Sequence, residues 1–241
     1  MPMQWLNKLF ASVPRPSAVS LSPGQAAALE AWQKRPAEDF ERPHFLTRYV
    51  VVDVEASGLH MSRDRLISIG AVAVAGGMID LTDAFEVVLR QDEISSHDNI
   101  LIHGIGGSAQ RDGVEPADAL LQFLDYIGKA PLIAYHALFD QTMIERAMLR
   151  YLGRKIELPW VDLAWVLPEL YREKIDNQVG LDEWLKLFGI ENILRHNAVS
   201  DAYATAQLLQ AAVTRGAALG KDSARVFMDM EKARRWIRRA M

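Results

Sequence analysis

Four carboxylates and one histidine fall in three short stretches of the sequence where their types and spacing could do chemistry. In the first stretch, Asp53 and Glu55 lie two residues apart at the end of the apolar run 49–54, so in a strand they point to the same face. Neighbouring carboxylates repel each other, which is costly unless a cation lies between them. The ordinary alternative is a solvated strand end that leads into a turn at Ser57 and Gly58.

Two further stretches each place an aspartate near the start of a helix. Asp140 follows the apolar run 131–135, and ligand sites in open α/β sheets cluster where strands end in this way. Asp201 lies about one turn inside a later helical pattern, and His196 comes just before that helix. The alternatives are that each aspartate stabilises a helix N-terminus and that His196 is an ordinary surface residue.

Hydrophobic spacing predicts the elements that position these residues. The predicted strands are 49–54, 66–74, 83–89, 131–135 and 160–162, with a turn at Gly76 and Gly77 between the second and the third. The predicted helices are 116–127, 139–151, 163–171, 181–188, 198–215 and 223–240. Three strands joined by short turns, followed by strands that alternate with helices, predict a mixed sheet covered by helices.

The composition restricts the cofactors and locations that need to be considered. The 241 residues are enough for one well-buried domain with additions. No apolar run approaches the roughly 20 residues that span a bilayer, so no membrane partner is expected. The chain has no cysteine, which excludes disulfides and thiolate metal sites and favours a cytoplasmic location. Any metal must therefore be held by oxygen or imidazole, and oxygen ligands favour magnesium or manganese.

The charge is spread unevenly along the chain. The net charge is −4, but residues 221–241 hold seven Lys or Arg against three Asp or Glu and carry +4, which leaves −8 for the rest. The basic stretch 231–239 has two interpretations. It is either a phosphate-contacting helix beside the active site or a solvated helix face on which Trp236 and Ile237 are docked.

The sequence predicts three parts: an N-terminal extension at 1–46, a compact domain at 47–216 and a basic C-terminal helix at 217–241. In the extension, Ser22 is the expected N-cap and Pro23 the first residue of a short helix that runs through Trp32. The segment Gln4–Phe10 resembles the short peptides that bind bacterial sliding clamps. The alternative for this segment is an amphipathic anchor on the chain's own domain or on a second copy.

Four motifs occur in an order that resembles the DnaQ-like exonucleases of the DEDDh subgroup. They are Val52–Leu59, Ile102–Ile105, His136–Asp140 and His196–Ala202. The resemblance covers roughly residues 47–215 and is greatest to the proofreading epsilon subunit of bacterial DNA polymerase III. It implies a ribonuclease-H-like fold, in which a five-stranded mixed sheet is flanked by helices, and 3'→5' exonuclease activity.

The resemblance also implies the site residues. Asp53, Glu55, Asp140 and Asp201 would hold two divalent cations, Mg²⁺ or Mn²⁺, with Asp53 bridging both and Glu55 counted among the catalytic residues. Such ions acidify the attacking water and stabilise the leaving oxygen. His196 would be the general base, because imidazole is neutral and still basic near pH 7.

Seven further residues are expected to contact the substrate. They are Ser57, Gly58, Leu59, His103, Ile105, His136 and Phe139. The segment Ile102–Ile105 would line the pocket of the terminal nucleotide, with core packing as its alternative, and Leu59 would act as a wedge. Asp162 is expected to be structural.

Three positions depart from the family pattern. His136 stands where the family usually has Asn, Tyr135 where it has His, and Ala56 where Thr or Ser is common. The departure at His136 leaves the substrate preference and the rate open.

The expected function is hydrolysis from the 3' end of single-stranded nucleic acid, DNA more than RNA, with release of nucleoside 5'-monophosphates. A DNA polymerase subunit is a possible partner, and the oligomeric state stays open. Two alternatives remain: a catalytically weak or inactive accessory subunit that binds nucleic acid, and an exonuclease that trims RNA in the manner of ribonuclease T.

Overall fold

The computed structural model describes residues 19–240 and shows a five-stranded mixed sheet with helices on both faces. The strands are β1 (Tyr49–Ala56), β2 (Leu66–Ala75), β3 (Met78–Val88), β4 (Leu132–Ala134) and β5 (Trp160–Asp162). They lie in the order β3-β2-β1-β4-β5, so β1 is central. β1 pairs antiparallel with β2 and parallel with β4. The predicted α/β sheet is confirmed.

The helices surround this sheet and include two that the sequence did not predict. They are α1 (Pro23–Gln33), α2 (His97–His103), α3 (Gly107–Arg111), α4 (Pro116–Ile127), α5 (Leu138–Leu152), α6 (Leu163–Leu170), α7 (Leu181–Phe188), α8 (Ala198–Ala218) and α9 (Ala224–Ala240). Within residues 19–240, none of them is long and apolar enough to cross a membrane. The unpredicted α2 and α3 have only seven and five residues, too few to show a helical period.

The central strand divides the apolar core into two halves. Val50, Val52 and Val54 of β1 belong to the half covered by α1, α4 and α5. Val51 belongs to the other half, which α6 to α9 cover. A strand that is buried on both faces is apolar on both faces, as residues 49–52 and Val54 of β1 are. Because side chains alternate along a strand, Asp53 and Glu55 point with Val51 towards α8.

The first described helix packs on the domain. Ser22 caps α1 in a capping box with Gln25, and Pro23 is its first residue, so the predicted start is confirmed. The Trp32 indole N–H donates to the Gly128 carbonyl at 2.7 Å, which fixes α1 beside the end of α4. The clamp-like segment Gln4–Phe10 lies outside the described residues, and the three-part division of the chain stays a prediction.

One strand begins earlier than the sequence predicted. β3 begins at Met78, directly after the turn at Gly76 and Gly77, and not at Asp83. It is an edge strand with most of its side chains exposed. Ile79-Asp80-Leu81-Thr82 alternates apolar and polar residues, a strand pattern that the prediction did not use.

The C-terminal helix is docked by other residues than expected. Trp236 and Ile237 are 72% and 51% exposed, whereas Phe227, Met228 and Met230 are buried. The interpretation that Trp236 and Ile237 dock is therefore wrong. Successive residues of a helix are rotated by about 100° around its axis. Arg235 faces the domain, so the next two residues, Trp236 and Ile237, face solvent.

Candidate active site

Three carboxylates meet at the C-terminal end of β1. Asp53, Glu55 and Asp201 each offer an oxygen that lies within 4.8 Å of the other two. Among residues 19–240, no other group of three or more His, Cys, Asp or Glu side chains comes this close. Two strand residues and one helix residue that are far apart in sequence thus form one group, and this group could hold a metal ion.

A glycine in the neighbouring strand lets α8 approach closely enough to complete the group. Gly70 of β2 pairs with Asp53 of β1. A Cβ atom on Gly70 would lie 2.3 Å from the carbonyl carbon of Ala198 and 2.4 Å from the nitrogen of Val199. The first turn of α8 therefore lies directly on β2. A glycine inside a strand often marks such a close backbone approach, and this signal was missed in the sequence.

The loop before α8 wraps around the Asp201 carboxylate. One oxygen accepts the backbone N–H of His196 at 2.9 Å. The other accepts from the side-chain amide of Asn192 and from the Arg195 guanidinium, the latter at 3.4 Å. Neither Asn192 nor Arg195 was a candidate from the sequence. These contacts fix the position of Asp201.

The fourth carboxylate lies beside the group and is held by β1. Asp140 is buried in the first turn of α5, and its carboxylate accepts the backbone N–H of Val54 at 3.1 Å. It does not cap α5, because the N-cap is Ala137. Asp140 is not among the three residues whose oxygens lie within 4.8 Å of one another. Its role as a metal ligand stays a prediction.

Burial and neighbouring carboxylates make ionisation of Asp53, Glu55 and Asp140 unfavourable. Burial, followed by the charges of Asp140, Asp201 and Glu55, raises the pKa of Asp53 well above its usual value. Burial and then Asp201 and Asp140 raise the pKa of Glu55 to about 8. Burial is also the largest cause that raises the pKa of Asp140. A divalent cation would relieve this repulsion, and all the available ligands are hard oxygen atoms.

The predicted general base lies at the rim of the group. His196 is exposed and has a positive φ of 59°, a left-handed conformation in which histidine is one of the enriched residues. The turn brings its backbone N–H to Asp201. The ring is therefore carried by a backbone that is fixed on a proposed metal ligand, and its role in catalysis stays a prediction.

A second candidate histidine, His136, is also exposed and has the same backbone conformation. His136 has a φ of 62°, and its N–H donates to the Asp162 carboxylate at 2.9 Å. Asn and His are both enriched in the left-handed region, so the residue in this chain keeps the backbone shape that Asn would favour. The hydroxyl of the preceding Tyr135 donates to the carbonyl of Val179 at 2.6 Å.

The loop after β1 presents two apolar side chains to solvent, Leu59 and, less fully, Met61. Leu59 is 87% exposed. The hydroxyl of Ser57 accepts the N–H of Arg65 at 3.0 Å, and a Cβ atom on Gly58 would lie 2.5 Å from the Asp64 carboxylate. Ser57 and Gly58 therefore shape the loop of residues 57–65, and Leu59 lies near its tip. Substrate contact by all three stays a prediction.

The second substrate segment is fixed by a buried histidine. The His103 ring accepts the N–H of Ile105 at 2.9 Å and hydrogen-bonds to Asn99, also at 2.9 Å. Asn99 in turn donates to the carbonyl of Ala56 at 3.0 Å, which ties the segment to the end of β1. Ile102 is 55% exposed, so the core-packing alternative is wrong for this residue.

Two further candidates for substrate contact, Ile105 and Phe139, are partly accessible to solvent. Ile105 and Phe139 are half-buried, and Phe139 packs against the first half of the core. Contact of His103, Ile105, His136 and Phe139 with substrate stays a prediction.

Asp162 at the end of β5 has its own partners. It caps α6 by accepting the N–H of Ala164 at 3.0 Å, accepts the His136 N–H, and pairs with Arg235 of α9 at 2.9 Å. Glu231 accepts the N–H of Asp162 at 2.8 Å and pairs with Arg235. These contacts agree with a structural role for Asp162.

The curated relatives that match this chain are PolC-type DNA polymerases III, which are much longer than the chain. The chain is 33% identical over 162 residues to the PolC-type DNA polymerase III of Bacillus subtilis, which covers 67% of this chain and 11% of that protein. It is 32% identical over 171 residues to the PolC-type polymerase of Oceanobacillus iheyensis, with 69% and 11% covered. The chain thus spans about a ninth of the length of these relatives.

Solved structures with a similar fold include two nucleases. E. coli Exonuclease I in complex with a dA16 oligonucleotide superposes with a TM-score of 0.62 at 20% identity, over 72% of this chain and 42% of that chain. Exonuclease X in complex with 5' overhanging duplex DNA superposes with a TM-score of 0.57 at 20% identity, over 76% of this chain and 99% of that chain. At this identity the likeness shows the fold, and it confirms the predicted ribonuclease-H-like architecture.

The match to a family model covers the sheet and the helices that hold the carboxylates. Residues 50–209 match the family described as exonuclease, RNase_T. This range contains Asp53, Glu55, Asp140, His196 and Asp201, and the predicted resemblance and the prediction of an exonuclease enzyme are confirmed. The chain belongs to the RNase_T exonuclease family.

Proposed function

We propose that this exonuclease hydrolyses single-stranded DNA from its 3' end and releases nucleoside 5'-monophosphates. The observation that carries the proposal is the group of Asp53, Glu55 and Asp201, whose oxygens lie within 4.8 Å of one another at the end of β1. Three mutually repelling carboxylates, with Asp140 beside them, favour the binding of divalent cations. Such cations are what hydrolysis of a phosphodiester by a metal-dependent enzyme requires, and this supports the proposal.

The ligand set fits Mg²⁺ or Mn²⁺. Both ions prefer oxygen ligands, and the group contains only carboxylates. Asp53, Glu55 and Asp201 would hold one ion, and Asp140 would complete the ligands of a second. When bound, such ions offset the negative charge of the phosphate and acidify the attacking water.

The chain's own residues would supply the proton acceptor and the grip on the substrate. His196 takes the proton of the attacking water, from a rim position that its N–H bond to Asp201 fixes. Leu59 and Ile105 pack against the terminal base, since both lie on segments tied to β1 beside the carboxylates. Such apolar contacts accept any base, as digestion of any sequence requires.

The choice of DNA and of a partner rests on the similar proteins. Exonuclease I and Exonuclease X are solved in complex with DNA, and the curated relatives are DNA polymerases. We therefore propose DNA as the substrate and a DNA polymerase as a partner. The RNA-trimming and accessory-subunit alternatives are separate outcomes of the following experiment.

The test is digestion of matched 5'-labelled single-stranded DNA and RNA of one sequence, with Mg²⁺ or Mn²⁺. Asp53→Asn is the control, because it keeps the shape of the side chain and removes its charge. A ladder of shortened labelled products, lost in the variant and in EDTA, establishes digestion from the 3' end. If a labelled mononucleotide is the first product, digestion starts at the 5' end and the proposed 3'→5' direction is wrong. Faster digestion of RNA would favour the trimming role, and no digestion of either strand by folded protein would favour the accessory role.

A further inference from the structure

An arginine outside the carboxylate group is bound to the loop that carries Leu59. Arg146 lies on α5, and its guanidinium donates to three backbone carbonyls of the loop of residues 57–65. The acceptors are Met61, Ser62 at 2.9 Å and Asp64 at 3.2 Å. Among residues 19–240, Arg146 forms no salt bridge with a carboxylate, whereas nine other arginines do.

The same loop is closed from inside by Asp64. One Asp64 oxygen accepts the N–H of His60 at 2.7 Å, and the other accepts the Ser57 hydroxyl at 3.3 Å. Arg146 holds the other face, so the chain on either side of Leu59 is fixed at both ends. A side chain that is 87% exposed is thereby carried by a backbone with few free hydrogen-bonding groups, the arrangement of a preorganised contact.

We propose that Arg146 is a positioning residue that holds Leu59 against the terminal base pair or base, and so determines how well paired 3' ends are digested. The proposal rests on the proposed function. A paired end must open before its last nucleotide can reach the carboxylates, and an apolar side chain fixed in place can replace the lost stacking. A single-stranded end needs no opening and depends less on Leu59.

The measured quantity is the ratio of kcat/KM on a blunt duplex to kcat/KM on the matching single strand. Arg146→Met and Leu59→Ala should each lower this ratio about tenfold, the scale of one lost contact between neighbouring groups. Both rates come from one protein sample, so any loss of folded protein cancels in the ratio.

Two control variants separate geometry from charge. Arg150→Met removes the same charge one turn further along α5, and Arg150 lies over the Tyr151 ring, with its guanidinium carbon 5.2 Å from the ring centroid; it should leave the ratio unchanged. Arg146→Lys keeps the charge but cannot bind three carbonyls with a planar fork, and it should lower the ratio as Arg146→Met does. An equal loss in Arg150→Met, or full rescue by Arg146→Lys, would overturn the proposal.

The double variant tests whether Arg146 acts through Leu59. Once Leu59→Ala has removed the wedge, adding Arg146→Met should lower the ratio little further. Two losses that multiply would mean that Arg146 acts elsewhere and would overturn the proposal.

A measurement without turnover accompanies these rates. The hydrogen-exchange rate of the backbone amides of residues 58–64 should be higher in Arg146→Met than in the wild-type chain, and it should be unchanged in Arg150→Met. If the wild-type chain digests the single strand but Arg146→Met leaves the ratio unchanged, this proposal alone fails. If the wild-type chain digests neither substrate, the proposed function fails and this proposal fails with it.

Discussion

Two aspartates lie near the C-terminal ends of strands of the same sheet, Asp53 in β1 and Asp162 in β5, and they have opposite electrostatic surroundings. Asp53 lies in the second half of β1 and faces Glu55 and Asp201. Asp162 ends β5 and faces Arg235 at 2.9 Å, with two backbone N–H groups on its other oxygen. Burial raises the pKa of both. At Asp53 the neighbouring carboxylates raise the pKa further, while at Asp162 the amide of Ala164 and the charge of Arg235 lower it.

The difference shows which of the two carboxylates the chain compensates with a positive charge of its own. Asp162 has a cation supplied by α9, so its network stabilises the fold and needs nothing more. The carboxylates around Asp53 have one cationic neighbour, Arg195, which compensates their repulsion only in part, and a bound metal ion would supply the remaining positive charge. Groups that perturb stability in this way collect at functional sites, and this comparison separates the candidate site from a structural one of the same composition.

The largest expected effect comes from neutralising one member of the first group. Asp53→Asn should lower kcat at least about a thousandfold, because cation stabilisation of a phosphoryl transition state is worth several kcal/mol. In EDTA the same variant should melt roughly 2–4 °C higher, as about 1 kcal/mol of repulsion is removed. The checks are kcat with Mg²⁺ and thermal melting in EDTA. Asp162→Asn is the control and should melt lower, and equal shifts in both variants would contradict the comparison.

The second effect separates proton transfer from metal binding. His196→Gln should lower kcat by about a hundredfold to ten-thousandfold, the usual contribution of a general base. The rise in melting temperature that Mg²⁺ produces should be the same as in the wild-type chain, because His196 is not one of the residues whose ligand atoms lie within 4.8 Å of one another. A near-wild-type kcat would remove His196 from the mechanism.

The third effect concerns the second region. Arg235→Met should cost about 2 kcal/mol of unfolding free energy, less than the 3–5 kcal/mol of a fully buried pair because the Arg235 side chain is 29% exposed. Denaturant unfolding measures this loss. Arg238→Met is the matched control: Arg238 lies over the same Trp165 ring as Arg235 and, in the part of the chain that the structure describes, has no salt bridge to a carboxylate. It should change stability by less than about 0.5 kcal/mol.

The fourth effect is a pH dependence of opposite sign to that of an ordinary salt bridge. The folded pKa of Glu55 is about 8, above its ordinary value of 4.5, so between these two pH values the folded state binds more protons than the unfolded state. Stability is then fully present below about pH 4.5 and is lost as the pH rises through about 8. Without metal, unfolding in urea should show lower stability at pH 8 than at pH 5. Glu55→Gln should reduce this slope, and an unchanged slope would exclude Glu55 as its source.

The two regions also differ in how far the sequence predicted them. The period of two in β1 placed Asp53 and Glu55 on one face, and the apolar run marked the strand itself. No comparable pattern indicated that Asp201 would reach them, because that depends on the close approach of α8 at Gly70. Order in the chain and a family resemblance supplied this link in place of physical reasoning.

The network around Asp162 was beyond the sequence for a similar reason. Arg235 lies 73 residues from Asp162 along the chain, and its neighbours Trp236 and Ile237 were the expected docking residues. Local patterns predict that a helix forms, but which of its faces is buried near its end depends on a partner that only the folded chain presents. Arg195 and Asn192 escaped notice in the same way, since their contacts with Asp201 form only in the folded loop.

The smallest expected effect belongs to the residue between the two regions. His136 binds Asp162 through its backbone N–H, while its exposed side chain lies in the stretch that leads to Asp140. Because Asn tolerates a positive φ as well as His does, His136→Asn should change the unfolding free energy by less than about 0.5 kcal/mol. His136→Val should cost about 1–2 kcal/mol, since a β-branched residue is strained at this φ of 62°. Melting measurements on both variants test the backbone explanation.

Turnover of the same variants then assigns the remaining role of the ring. If His136→Asn digests DNA at the wild-type rate, the side chain matters only through the backbone shape it allows, and the departure from the family pattern leaves the chemistry unchanged. A higher kcat at unchanged stability would show that the histidine slows the reaction. A loss of kcat at unchanged stability would instead show that the ring contacts the substrate, and it would extend the functional region from the carboxylates to the loop that Asp162 supports.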